Sequence, residues 1–397
     1  MHRLLTAAFL FASLSFGQTL TGLWDASVTV TDFRVPFRME FTEQSAIFFN
    51  GDEKVISTAG QFDGKSGSFR FDHYAGKLNF QLSNGRLTGT YDRGSRGIYA
   101  FDAKRFTPSP LDATEVPSIA GIWEIGGVAS SKGENAWTLI VRQSGPEVSA
   151  AVQRIDGDTG ELSGTYRDGK FTISHFSGAR PSVFELKPGV DGSLAVTQNG
   201  KQTWTAVKST VARTRGLPAP TDPSKHTSVK DPTVPFAFAG KDLAGNFVTN
   251  ADPRFQGKVV IVAVGGSWCP NCHDEAPFLM EIYRKYHAKG LEIVGLSFEE
   301  AEQIEDLSRL HFFVRRYGIE YTMLVAGDPS ELLDKLPQAV NLNSWPTSFF
   351  LGRDGLVRGV HAGFAGKASG TLHREMVDEV EATLQRLLSE ELRTSRE

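Results

Sequence analysis

Apolar and polar residues alternate with period two across the first half of the chain. Phe69 and Phe71, then Leu78, Phe80 and Leu82, fall on one side of the pattern. Arg70 and Asp72, then Asn79 and Gln81, fall on the other. That period predicts half-buried strands. Asn50-Gly51, Asp63-Gly64, Asn84-Gly85, Asp156-Gly157, Asp168-Gly169, Asp191-Gly192 and Asn199-Gly200 punctuate them, and such pairs tolerate the positive φ of hairpin turns. Strands at roughly 8–12-residue spacing predict an antiparallel meander closed into a small barrel or sandwich. The pattern also runs twice. Gly22-Leu23-Trp24 returns as Gly121-Ile122-Trp123, and the stretch Phe69 to Gly76 returns as Phe171 to Gly178. Matching residue classes at a nearly constant offset indicate internal duplication. Two related all-β units follow, at 18–107 and 119–208.

The period changes after 208. Pro218, Pro220, Pro223 and Pro232 fall in a stretch of small and charged residues, so 209–232 reads as an extended linker. Residues 233–392 form a third unit. In Lys258 to Val264 the six residues after the lysine are continuously apolar, as in a strand buried on both faces. Leu279, Ile282, Tyr283 and Tyr286 then mark one face of a helix that Gly290 ends. A second buried strand is expected at Leu291–Ser297, a helix at 301–317, and a strand at Tyr321–Ala326. Thr347–Leu351 and Leu356–His361 are expected to form a hairpin, and a last helix near 370–391 to bury Val377, Val380, Leu384, Leu387 and Leu388. The order β-α-β-α-β-β-α predicts a central sheet flanked by helices.

Residues 1–17 have the layout of a secretory signal peptide. His2 and Arg3 precede an apolar run from Leu4 to Phe16, and Ser15 and Gly17 are small residues ahead of a cleavage point. The run is short for a membrane span, and no cysteine follows for lipid attachment. An uncleaved anchor or a buried strand are the competing readings. The expectation is a protein working in the periplasm or outside the cell.

Composition narrows the class. The chain has 397 residues, enough for two or three domains. Its 42 Lys and Arg against 46 Asp and Glu leave a net charge of −4, which argues against a general nucleic-acid binder. The only two cysteines, Cys269 and Cys272, are three apart, so no disulfide framework holds the fold.

That pair carries the candidate chemistry. Cys269-Pro270-Asn271-Cys272 follows the buried strand and opens the helix. Unpaired backbone N–H groups at a helix start favour negative charge, and so a reactive thiolate at Cys269. Cys272 is placed to resolve a mixed disulfide. Structural zinc would require two further Cys or His ligands, and only His273 is adjacent. A structural disulfide across two residues would constrain little chain. No metal or other cofactor is expected. His73 and His175 occupy equivalent places in the repeat and read as structural histidines. The acidic run Asp156 to Glu161 lacks calcium-loop spacing and reads as a turn.

Lys258-Val-Val-Ile-Val262 before Trp268-Cys-Pro-Asn-Cys272, followed by Glu275, Pro277 and the later Trp345-Pro346-Thr347 segment, resembles the TlpA/ResA-like thioredoxin-fold disulfide reductases. The resemblance covers about 235–390. It implies that Cys269 is the nucleophile and Cys272 the resolving cysteine. It implies a cis Pro346 beside them, with the backbone of Trp345 pairing with substrate. Pro277 would kink the helix, and Glu275 would be a buried acid handling protons. Trp268, Pro270 and Asn271 would shape the site. Ala263, Gly265 and Gly266 depart from the family pattern, and Trp345 is bulkier than usual.

The implied substrates are protein thiols and disulfides, with a membrane or periplasmic electron donor. A thiol peroxidase on the same fold is the alternative enzyme, although Val262 and Gly266 stand where its Pro and Thr/Ser are expected. A non-enzymatic protein whose β repeats recruit a partner is the third reading.

Overall fold

The computed structural model describes residues 19–108 and 116–390. The expected signal peptide lies outside the described residues. No described helix is long and apolar enough to cross a membrane.

The first β unit is one antiparallel sheet of nine strands in which chain neighbours pair in order. Its first strand, Gly22–Val30, also pairs with its last, Ile98–Arg105. The two edge strands, Glu53–Ile56 and Ala59–Phe62, are consecutive in the chain, so the sheet must curl until its edges meet. The inward positions are those of the period-two pattern: Phe69, Phe71, Leu78, Phe80 and Leu82 are all buried. Phe48 stacks on Phe71 at 4.3 Å between ring centres, and Phe41 packs on Phe69 and Phe80. Aromatic side chains bury large apolar area each, which explains how so short a unit fills its centre.

The second β unit closes completely. Ala136–Ser144 pairs with both Gly121–Gly126 and Glu147–Arg154, completing an antiparallel ring. The opening tryptophans have matched settings. The Trp24 indole donates to the Leu20 carbonyl at 2.9 Å, and that of Trp123 to the Ile119 carbonyl at 2.8 Å. Arg105 covers the first ring and Lys208 the second.

The stretch 209–232 differs from the extended linker expected of it. Ser209–Thr214 is helical, and Pro223–His226 is a short helical turn whose start is capped by the Asp222 carboxylate. Ser228–Val229 then pairs with Ala339–Val340. Prolines at the first position of a helix are tolerated because that N–H is unpaired in any case.

The C-terminal domain is thioredoxin-like: a seven-stranded mixed sheet with helices on it. Val259–Gly265 lies parallel to Leu291–Phe298 and antiparallel to Thr347–Leu351, and Val357–Ala362 extends the sheet. Pro270–Tyr286 and Thr371–Ser389 pack on one face through Leu279, Ile282, Tyr286, Leu384 and Leu387. Two differences from the sequence reading stand out. A hairpin of Ala239–Asp242 and Phe247–Thr249 precedes the first expected strand and joins the sheet beside Thr322–Gly327. The helix expected at 301–317 is two, Ala301–Asp306 and Ser308–Tyr317, because Leu307 turns to φ 50° and the Asp306 carboxylate caps the second through the Ser308 N–H.

Candidate active site

The site forms where the buried strand Val259–Gly265 meets the helix Pro270–Tyr286. Cys269 is the residue at the helix N-terminus, and its sulfur accepts the Cys272 backbone N–H at 3.3 Å. Both cysteines are free thiols. Burial pushes the Cys272 thiol well above its ordinary pKa, and the bond to Cys269 adds to the effect. The chain enters the site on a fixed loop. The buried Glu299 carboxylate accepts the Ser267 N–H at 2.7 Å and the Ser267 hydroxyl at 2.6 Å, and Arg309 pairs with the same carboxylate at 3.1 Å. The glycines that depart from the family pattern have steric reasons. A Cβ on Gly265 would meet the Cys272 sulfur at 3.0 Å, and one on Gly266 would meet the Trp268 indole at 2.4 Å. Trp268 can therefore fold back and donate to the Phe298 carbonyl at 2.8 Å.

The structure brings most of the sequence-derived residues together. The Trp345-Pro346 bond is cis. The Trp345 ring meets Trp268 edge-on at 5.4 Å and Phe298 at 5.8 Å, so its bulk packs against the site loop. Pro277 lies inside the helix and removes a donor there. Glu275 is buried, and the Ser348 hydroxyl donates to its carboxylate at 2.9 Å. Burial raises the Glu275 pKa to about 8, against the smaller lowering effect of Ser348. Ala263, Gly265, Cys272, Glu275 and Tyr321 line one cavity of ≈ 30 Å³, room for about one water molecule. The small Ala263 thus leaves space between the acid and the second thiol.

The raised pKa fixes a sign. An unfolded glutamate ionises near 4.5, while folded Glu275 keeps its proton to about 8. Its linkage therefore favours the folded state less as pH rises between those values. The thermal midpoint of the wild type is expected to fall more between pH 5 and pH 8 than that of Glu275→Gln. An equal fall in both would show that Glu275 ionises freely.

His273 is held as a neutral structural ring. It bonds Tyr317 Oη at 3.0 Å and the Ser267 carbonyl at 2.8 Å, and burial pushes its pKa down to about 3. His73 of the first β unit stacks on it at 4.3 Å. His175 instead bonds the Glu161 carbonyl and Ser177. The repeat-equivalent histidines thus serve different neighbours.

The larger surprise is the role of the β units. Sequence reading found no chemistry in 18–208, yet both units pack against the loop and helix that carry the dithiol. Cys269 is only 3% exposed. The segment expected to be a simple turn, Asp156 to Glu161, lies on the site: the Asn271 amide donates to the Asp156 carbonyl, and Gly157 makes a parallel bridge to Phe364. The Ser369 hydroxyl donates to Asp158 at 2.7 Å. From the first unit, Arg96 stands over the Trp268 ring and bonds Glu300 at 2.8 Å. Arg180 of the second unit donates to Asn271 at 2.8 Å. No sequence signal marks Arg180 or Arg96, because each lies far along the chain from the cysteines.

Comparison with known proteins agrees with this geometry. Residues 231–360 match the AhpC/TSA family model. Over 120 residues the chain is 32% identical to the thiol-disulfide oxidoreductase ResA of Bacillus thuringiensis (strain Al Hakam), which covers 30% of this chain and 62% of that protein. The C-terminal domain is similar to ResA. Over 140 residues it is 27% identical to ResA of Geobacillus kaustophilus (strain HTA426), covering 35% of this chain and 74% of that one. A solved thiol:disulfide interchange protein of the thioredoxin family from Chlorobium tepidum TLS is 25% identical, covering 38% of this chain and 99% of that chain at a TM-score of 0.28. The chain spans less than two thirds of the length of the first of the ResA relatives, and the family match lies wholly in the C-terminal domain.

Proposed function

We propose that the protein is an exported thiol–disulfide oxidoreductase that reduces protein disulfides through Cys269 and Cys272. One observation carries the reading: two free thiols share the first turn of a helix, with the Cys269 sulfur taking the Cys272 N–H, beside a cis-proline. The Cys269 thiolate attacks a substrate disulfide. The substrate S–S bond breaks, a mixed disulfide forms, and the first substrate sulfur leaves as a thiolate that takes up a proton. Cys272 then loses its proton, attacks the Cys269 sulfur and releases the second substrate thiol. The pair ends oxidised and the substrate reduced by two electrons.

Cys272 needs a base because burial raises its pKa. Glu275, on the same cavity and near pKa 8, is suited to move that proton near neutral pH. A two-electron thiol donor at the membrane or in the periplasm would restore the dithiol. The β units, standing over the dithiol, are read as the part that selects which substrates reach it.

Equilibrating the purified full chain in glutathione buffers tests the reading. A single two-electron transition of the Cys269–Cys272 pair is expected. A potential near about −270 mV supports a reductase, and one near about −120 mV an oxidase. Two cysteines that never form a disulfide with each other would overturn the proposal.

A further inference from the structure

The second β unit delivers a cation to the dithiol. Arg180 Nη2 donates to the Asn271 side-chain oxygen at 2.8 Å, and Nη1 donates to the Asp158 carbonyl at 2.6 Å. The Asn271 amide nitrogen in turn donates to the Asp156 carbonyl. Both ends of the residue beside Cys272 are therefore held by one unit from outside the C-terminal domain. Arg180 itself has φ 47°, a left-handed conformation that disfavours residues with a Cβ. Such strain persists where the surrounding structure imposes it, often at functional sites.

Neither acceptor of Arg180 is charged. Among the described residues no carboxylate forms an ion pair with it. Burial opposes its charge, and the titratable groups that favour that charge most are Asp274, Tyr74, Cys269 and Asp156. Asp156 is already paired with Lys132 at 2.8 Å. The nearby Asp158 carboxylate takes Ser369 Oγ and the Gly160 N–H. Glu53 faces the same crevice, where burial raises its carboxyl to about 7 against the lowering effect of Arg180, and Arg316 acts on His73. Part of Asp274 reaches solvent, but desolvation in the crevice raises its carboxyl to about 8, so near neutral pH it largely keeps its proton and pulls little on the guanidinium. Cys269 is buried, where a charge is felt more strongly. Cys272 and Glu275 stand behind Cys269 as the remaining titratable neighbours.

Building on the dithiol reading above, we propose that Arg180 is a positioning residue of the redox site, fixing Asn271 and holding positive charge against the Cys269 thiolate. A stabilised thiolate favours the reduced pair and makes the couple more oxidising. The second β unit then sets the potential of a dithiol it does not contain.

The full chain and its Arg180→Met and Arg180→Lys variants, equilibrated in glutathione buffers, test this. Arg180→Met is expected to shift the pair about tenfold toward the disulfide, ~30 mV more reducing for a two-electron couple. Arg180→Lys is expected to keep most of the wild-type potential. An unchanged Arg180→Met, or an equal shift in both variants, would overturn the proposal, the second by assigning the residue to shape rather than charge. Circular dichroism reports whether each variant is folded. If Arg180→Met does not fold, Asn271→Ala serves instead: it cuts the tether and keeps the cation. A partial shift in the same direction is expected, and none would overturn the positioning role. A wild type whose cysteines form no disulfide would sink the dithiol reading itself. A cycling pair whose potential Arg180→Met leaves in place would sink only the role of Arg180.

Discussion

Cys269→Ser is expected to abolish disulfide reduction by the full chain, a loss of about a thousandfold or more. A serine hydroxyl at the helix start is not ionised near neutral pH and cannot displace a sulfur. Cys272→Ser is expected to behave differently. Its first step survives, because Cys269 keeps its place at the helix N-terminus, but nothing then attacks the mixed disulfide. The variant should accumulate covalently joined to a substrate protein, visible on a non-reducing gel and released by dithiothreitol. Trapping by Cys269→Ser and none by Cys272→Ser would reverse the two roles. Equal loss without trapping in either would remove the dithiol mechanism.

The second large effect concerns access. A Cβ on Gly157 would meet the Phe364 carbonyl at 2.3 Å and the Asn271 amide nitrogen at 2.6 Å. The C-terminal side is equally close: a Cβ on Gly363 would meet the Ile155 carbonyl at 2.2 Å. Backbone passes against backbone here, so a side chain can be admitted only by moving the second β unit off the site. Gly157→Ala is expected to raise the rate at which iodoacetamide alkylates Cys269 by about ten- to a hundredfold, the opening of a contact worth one to three kcal/mol. Gly157 also has φ 117°, which strains any residue with a Cβ. Gly169→Ala separates the two causes. Gly169 has φ 80° and open space around it, so it carries strain without collision and should leave the alkylation rate near wild type. Equal acceleration in both variants would show that loosening of the barrel, and not the lost cover, exposes the thiol.

The site itself divides by how far apart its parts lie in sequence. Cys269, Pro270, Asn271, Cys272, Glu275 and Pro277 fall within three turns of one helix, and the helix period alone places them. Trp345 and Pro346 were legible from a local Trp-Pro-Thr segment leading into a strand. Glu299, Ser348 and Arg309 were not, since each joins the site only through sheet order and helix packing. The β strands were legible because period two writes burial directly into the chain: Phe69, Phe71 and Phe80 face inward as the pattern requires. The short Pro223–His226 helix was not, because Pro223 reads equally well as extended chain.

The sequence by itself determined most of the strands, the long helices, the paired thiols and the glutamate one helical turn beyond the second of them, because each follows from contacts made within a few residues. Only the tertiary structure decided that the two β units pack against the helix and loop of the dithiol and that Arg180 and Arg96 reach the C-terminal domain. Those placements depend on how three separately folded surfaces meet. That complementarity arises from backbone approach at Gly157 and Gly363 and from hydrogen bonds spanning most of the chain, which no local period encodes.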